Sequence, residues 1–240
     1  MMIHLLLFAA LLSAFIPLSI LLYRIVSPTI LSFPWQLPSG SSSASRRKHD
    51  KTKTVVFAGS FNPPHWGHLV MIRYLAERYG RVICCIGVNP NKRYDVTPQT
   101  RAQILRDMLS GGDDGSTRCK NVQVEVVTGY IWRYARTQNA SLFYRGIRTW
   151  SADGQDERQL QILNSWGPLL LGPLVWPLQT IFLEGDPKYR HVSSTVTRQL
   201  CAKIRKRRLN GEVEVHAELE ELTKLVPEWV MDKVVDAYGR

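Results

Sequence analysis

The sequence predicts an α/β fold: a doubly wound, parallel, five-stranded sheet with helices on both faces, preceded by an apolar N-terminal helix. Three observations carry this expectation. Over residues 54–240, apolar runs of strand length alternate with longer segments whose apolar residues recur every three or four positions. Gly, Pro and Asn clusters punctuate the boundaries between them. Residues 1–23 contain no Lys, Arg, Asp or Glu, and Leu5 to Tyr23 is long enough to cross ~30 Å of hydrocarbon as a helix.

The N-terminal run has basic residues only on its C-terminal side: Arg24, Arg46, Arg47, Lys48, Lys51 and Lys53. A cleaved signal peptide would have a positive flank before the run and a shorter apolar core. The sequence therefore predicts a membrane anchor over 1–23, with the following domain facing the cytosol. An organelle-targeting presequence is the alternative, because Ser41 to Ser45 and the basic cluster follow an apolar start. Residues 24–53 are rich in Ser and Pro without helical period and read as a linker.

The folded domain is assigned to 54–240. Val55 to Ala58 is the first buried strand. Gly59-Ser60 and Asn62-Pro63-Pro64 make a turn, and Leu69, Ile72, Leu75, Ala76 and Tyr79 follow at helical spacing. Arg81 to Val88 is the second strand. Asn89-Pro90-Asn91 then turns the chain and presents Lys92 and Arg93. Thr97 before Pro98 starts a helix whose apolar face is Ala102, Leu105, Met108 and Leu109. A polar loop over 111–120 leads to a strand over 122–127 and a helix over 130–138. Leu142 to Tyr144 is a short fourth strand ending in a glycine-containing turn, Arg145 to Arg148. A helix over 155–165, a fifth strand over 180–183 and a helix over 193–204 complete the alternation.

Composition agrees with a folded domain. Apolar residues make up 45% and charged residues 21%, which excludes a disordered chain. The formal charge is +11, and the stretch before Thr54 carries six Lys/Arg against one Asp. Lys203 to Arg208 holds five basic residues, read as a solvated helix face rather than a nucleic-acid site. Cys84, Cys85, Cys119 and Cys201 have no metal-binding spacing.

The chemistry centres on VVFAGSFNPPHWGHL, Val55 to Leu69. Two histidines and a glycine stand where a helix begins behind a strand. A helix N-terminus offers unpaired N–H groups and partial positive charge, so it suits an anion. His65 and His68 can donate to phosphate oxygens, and Gly67 lets a phosphate come close. Zinc does not fit, because no third ligand recurs nearby. Arg145-Gly146-Ile147-Arg148 supplies two guanidiniums at a strand end, where α/β sheets bind ligands. HVSSTVTR, His191 to Arg198, supplies three hydroxyls at a helix start and then an arginine.

GSFNPPHWGHL resembles the (H/T)xGH signature of the nucleotidyltransferase superfamily, a Rossmann-like fold, and HVSSTVTR resembles its ISSTxVR motif. RGIR resembles the RGLR segment of the phosphopantetheine adenylyltransferases. NPNKRYDVTPQTR, YARTQNA, DERQLQILN and LVPEWVMDKVV resemble further segments of that family, from Thr54 to about Tyr238. The resemblance implies transfer of AMP from ATP to 4′-phosphopantetheine in coenzyme A biosynthesis, with Mg²⁺ bound through the ATP phosphates and no metal held by the protein. It implies that Ser60, Lys92, Ile131 and Arg145 contact phosphopantetheine. It implies that Ser60, Phe61, His65, His68, Gly146, Ile147, Arg148, Glu157, Tyr189, Ser193, Ser194 and Thr195 contact ATP. His68, Lys92 and Arg148 would carry catalysis. A homo-oligomer is open on the same ground. The alternatives are a nicotinate or nicotinamide mononucleotide adenylyltransferase, and a catalytically silent, membrane-tethered nucleotide-binding scaffold.

Overall fold

The computed structural model describes residues 27–35, 50–88, 94–111, 119–172, 177–210 and 215–239. The apolar stretch 1–23 and Lys92 lie outside the described residues. Among the described residues no helix is long and apolar enough to cross a membrane.

The sheet is parallel and has six strands, not the expected five: β1 (Thr29–Leu31), β2 (Asp50–Gly59), β3 (Tyr79–Val88), β4 (Val122–Thr128), β5 (Leu142–Ile147) and β6 (Gln179–Glu184). Their order is β1-β6-β5-β2-β3-β4. The extra strand lies inside the stretch read as a linker. Three residues are too few to show a strand period, and β1 exists because β6 offers a free edge, with Leu31 opposite Leu183. The order reverses between β2 and β5, so the C-terminal ends of these two strands flank the switch point, where a ligand crevice opens.

The helices are α1 (Trp66–Arg78), α2 (Pro98–Ser110), α3 (Ile131–Thr137), α4 (Trp150–Leu170), α5 (Ser194–Leu209), α6 (His216–Thr223) and α7 (Glu228–Tyr238), with a short 3₁₀ turn at Pro187–Tyr189. Side-chain alternation along the strands creates two cores. Val55, Phe57, Cys84, Ile86, Tyr144 and Leu183 pack with α1, α2, α5 and α7 on one face. Val56, Ala58, Ile83, Cys85 and Phe143 pack with Ala135 and Ile131 of α3 on the other.

Local signals in the sequence set most helix starts. Thr97 Oγ1 accepts from the Thr100 N–H at 3.2 Å, with Pro98 opening α2. Ser193 Oγ accepts from the Val196 N–H at 3.2 Å and caps α5. Thr149 Oγ1 accepts from the Ala152 N–H at 3.2 Å, so α4 begins well before residue 155. Helix α4 also runs on to Leu170, through Pro168. The basic run ends α5, where Lys203 and Arg207 pair with the buried Glu218 of α6, whose pKa falls to about 2 chiefly through these hydrogen bonds. Three of that run's residues, Lys206, Arg207 and Arg208, lie in the last helical turn, where cations complement the helix dipole.

The expected turn at 145–148 is corrected. Arg145, Gly146 and Ile147 belong to β5, paired with Phe182, Leu183 and Glu184. The pleat therefore sends Arg145 to the α3/α4 face and Gly146 to the α1 face.

Candidate active site

A cavity of about 540 Å³ lies at the C-terminal ends of β5 and β6, between the starts of α1 and α5. His65, Gly67 and His68 line one side, and Ser193, Ser194 and Thr195 the other. Gly146, Ile147 and Arg148 form the floor, and Tyr189 and Arg190 the rim. Two helix N-termini thus face one space, an arrangement suited to a polyanion. Nine of the twelve residues expected to touch ATP meet here.

The two halves are fastened to each other. Ser194 Oγ donates to the Pro63 carbonyl at 2.9 Å. Arg198 donates to the Asn62 carbonyl and, at 3.2 Å, to Thr195 Oγ1. Arg198, which closes the HVSSTVTR motif, does not line the cavity and ties the turn before α1 to the first turn of α5. Trp66 is anchored by its N–H on the Leu225 carbonyl at 3.0 Å and by its Nε1–H on the Thr223 carbonyl at 3.0 Å.

The histidine pair has a defined chemistry. The rings are 3.8 Å apart. The His65 backbone N–H donates to His68 Nδ1 at 3.3 Å. In the neutral ring the proton therefore sits on Nε2, leaving a donor available to the cavity. Burial lowers the His68 pKa to about 4. Burial, and then the neighbouring His68, push His65 well below its ordinary value. At neutral pH both rings are uncharged, so they offer hydrogen bonds rather than net charge. Phe61 is fully buried, 4.9 Å from the His68 ring, and supports it from below instead of lining the cavity. Gly67 lines the cavity, and a Cβ there would stand 3.2 Å from the His65 ring.

These pKa values make a stability prediction. The unfolded chain takes up protons on both histidines below pH about 6.5, whereas the folded chain resists until about pH 4 at His68. Their contribution is complete above pH about 6.5 and is lost as pH falls toward 4. Urea denaturation should show a loss of about 1–2 kcal/mol between pH 7.5 and pH 5 beyond that of His68→Gln. Parallel pH profiles for the two proteins would remove the histidine from this account.

Arg148 is held by the first turn of α4. Its backbone N–H donates to Asp153 Oδ2 at 2.7 Å, and its guanidinium donates to Asp153 Oδ1 at 2.6 Å. The side chain is 61% exposed, so this pairing sets its direction more than it stabilises the fold. Asp153 and Asp186 both line the cavity and were missed by the sequence reading. The available signal for Asp153 was an acidic residue in the first turn of a helix capped by Thr149.

Gly146 must be glycine for packing reasons. A Cβ there would stand 2.7 Å from Met71 Sδ and 3.1 Å from Phe57 Cζ. Gly146→Ala should destabilise the protein by about 1–3 kcal/mol, measured by thermal unfolding, as over-packing usually does. An unchanged midpoint would mean that Met71 swings aside freely.

The remaining expected residues lie elsewhere. Arg145 and Glu157 do not line this cavity; they pair with each other, Nε to Oε2 at 2.7 Å and NH2 to Oε1 at 2.6 Å. Ile131 packs on the same sheet face, where a Cβ at Gly87 would stand 2.9 Å from its Cδ1. The Ser60 carbonyl accepts from the buried Arg101 of α2 at 2.6 Å, a positioning contact that the sequence reading did not assign. Among the described residues no three His, Cys, Asp or Glu side chains are grouped to hold a metal. A wider groove of about 690 Å³ along β4, lined by Arg106, Lys120 and Glu125, contains none of the motif residues.

The cytidylyltransferase-like family profile matches residues 56–200, more than half of the chain. The phosphopantetheine adenylyltransferase of Chromobacterium violaceum is 34% identical over 149 residues, covering 62% of this chain and 82% of that protein. The chain belongs to the phosphopantetheine adenylyltransferase family. The Neisseria meningitidis serogroup C member of that family is 30% identical over 184 residues, covering 76% of this chain and 92% of its own length. Among solved structures, the nicotinic acid mononucleotide adenylyltransferase of Plasmodium falciparum, complexed with NaAD, superposes with a TM-score of 0.50 at 12% identity. It covers 77% of this chain and 95% of that one, a likeness of fold alone. The cytidylyltransferase-like profile ends at residue 200, so the end of α5, with α6 and α7, extends beyond it.

Proposed function

We propose that this enzyme transfers AMP from ATP to 4′-phosphopantetheine, giving dephospho-coenzyme A and pyrophosphate. The observation that carries the reading is the 34% identity to a phosphopantetheine adenylyltransferase, together with a nucleotidyltransferase profile that spans both motif-bearing halves of the cavity. An oxygen of the acceptor phosphate attacks the α-phosphorus of ATP. The bond to the pyrophosphate oxygen breaks, and pyrophosphate leaves with the electron pair. No protein nucleophile is required, so the site's work is positioning and neutralisation of charge.

In this reading the triphosphate occupies the cavity between α1 and α5, with Ser193, Ser194, Thr195 and Arg148 as donors. His68 Nε2–H is directed at the charge that develops on the reacting phosphate. The acceptor lies on the α3/α4 side, with Arg145 and Ile131 and with Ser60 just after β2; Lys92, outside the described residues, is the further contact that the family resemblance implies. Mg²⁺, bound through the ATP phosphates, would offset their charge; of the two cavity carboxylates, Asp153 is engaged by Arg148 through both oxygens and Asp186 accepts from the Lys188 N–H.

The apolar stretch 1–23 supports membrane attachment, with the catalytic domain on the cytosolic side. Only residues 24–28 separate it from β1, a reach of at most ~18 Å, so the domain would lie close to the bilayer. Protease treatment of intact membranes should digest the domain; protection would point to import into an organelle instead.

The activity test is turnover of the purified full chain with ATP and each acceptor in turn. 4′-Phosphopantetheine should be adenylylated, and nicotinamide and nicotinate mononucleotides should not. Turnover of a mononucleotide in place of phosphopantetheine would overturn the assignment.

A further inference from the structure

The short segment Ser32 to Trp35, with strand β1, converges on Glu184, the residue just before the cavity wall. Trp35 is 4% exposed and its Nε1–H donates to the Glu184 carbonyl at 2.7 Å. Ser32 Oγ donates to Glu184 Oε2 at 2.6 Å. The other carboxylate oxygen of Glu184 accepts from the Trp150 backbone N–H, the first residue of α4, at 2.9 Å. Trp35 is itself held on α1: its carbonyl accepts from Tyr74 Oη at 2.6 Å, and the two rings are 4.8 Å apart.

We infer that residues 29–35 are a positioning element of the nucleotide site, acting through Glu184. The inference rests on the reading above that ATP binds between α1 and α5. Glu184 ends β6, and the next two residues, Gly185 and Asp186, line the cavity. The Gly185 N–H donates to the Ile147 carbonyl at 2.8 Å, next to Arg148. Through Trp150, Glu184 also fixes the first turn of α4, which carries Asp153, the partner that directs Arg148. Both routes from Glu184 end at Arg148. A carboxylate with each oxygen on a different element fixes both elements, and removing a donor lets them drift. Strand β1 supplies the lever, since its pairing with Ile181, Phe182 and Leu183 delivers Ser32 and Trp35 to the end of β6 where the cavity opens.

The test uses the full chain carrying Ser32→Ala with Trp35→Phe, which keeps a ring at position 35 but removes both donors to Glu184. Ser32→Thr, which keeps the hydroxyl, is the control. ATP affinity by calorimetry and steady-state kinetics with phosphopantetheine are measured well below the unfolding temperature of each protein. The double variant should raise Kd and KM for ATP about 5- to 10-fold with a smaller change in kcat, and Ser32→Thr should match the parent. A lower unfolding temperature with unchanged ATP Kd and KM would overturn the inference and leave the segment as an edge strand only. Calorimetry reads ATP binding without turnover. A parent protein that binds ATP but ignores phosphopantetheine would therefore sink the acceptor assignment and still test this one.

Discussion

His68→Ala should lower kcat by about 10²-fold or more while leaving the KM for ATP within a few-fold. The asymmetry follows from the geometry of the ring. Its Nδ1 is occupied by the His65 N–H, so the proton available to the cavity is on Nε2. Its depressed pKa, about 4, keeps it neutral at the assay pH. A neutral donor adds little to the binding of a polyanion already facing two helix N-termini. It contributes most when charge concentrates on the oxygens of the pentavalent phosphorus, and its loss is then felt in the transition state. His68→Gln, which keeps a donor on a flexible chain, should recover part of the rate. His65→Ala should do less to kcat, because the contact that orients His68 comes from the His65 backbone N–H, which alanine keeps. A kcat for His68→Ala equal to the parent's would exclude the ring from the chemistry.

Arg145→Ala should have two separable effects. The first is on stability. Arg145 and Glu157 are 17% and 13% exposed, so truncating the arginine strands a largely buried carboxylate. Breaking such a pair from one side costs about 2–4 kcal/mol, most of it the unpaired partner. The second is on the acceptor: Glu157 holds Nε and one terminal nitrogen, so the remaining N–H groups can give one charge-assisted contact, and KM for phosphopantetheine should rise by about 10- to 100-fold. Arg145→Ala with Glu157→Ala distinguishes the two. Removing the stranded carboxylate should restore much of the lost stability and none of the acceptor affinity. Arg145→Lys should be intermediate, since an ammonium keeps charge but not the two-pronged geometry. If the double variant regained acceptor affinity together with stability, Arg145 would be a scaffold residue and the acceptor would bind elsewhere.

The sequence resolved what is local. Strand cores and most helix starts were legible because they depend on apolar period and on capping residues a few positions away, as at Thr97 and Ser193; the Thr149 cap was missed. The (H/T)xGH and SST motifs were legible for the same reason: a strand, a turn and a helix start follow one another within a dozen residues. Their convergence on one cavity also followed from chain order, because a parallel sheet puts all its strand-to-helix junctions at one edge.

Tertiary structure alone decided three things. It made a strand of Thr29–Leu31, whose stability comes from an edge about 150 residues away and not from its own three side chains. It separated the RGIR residues, sending Arg145 to Glu157 on one sheet face and leaving Gly146 and Arg148 to the cavity on the other, because the strand runs three residues further than its apolar core. It also made Arg198 a tie across the two motifs, through the Asn62 carbonyl. In each case the deciding partner is distant in sequence. A side chain's type fixes which bonds it can make, and only the packed chain fixes which partner lies within reach.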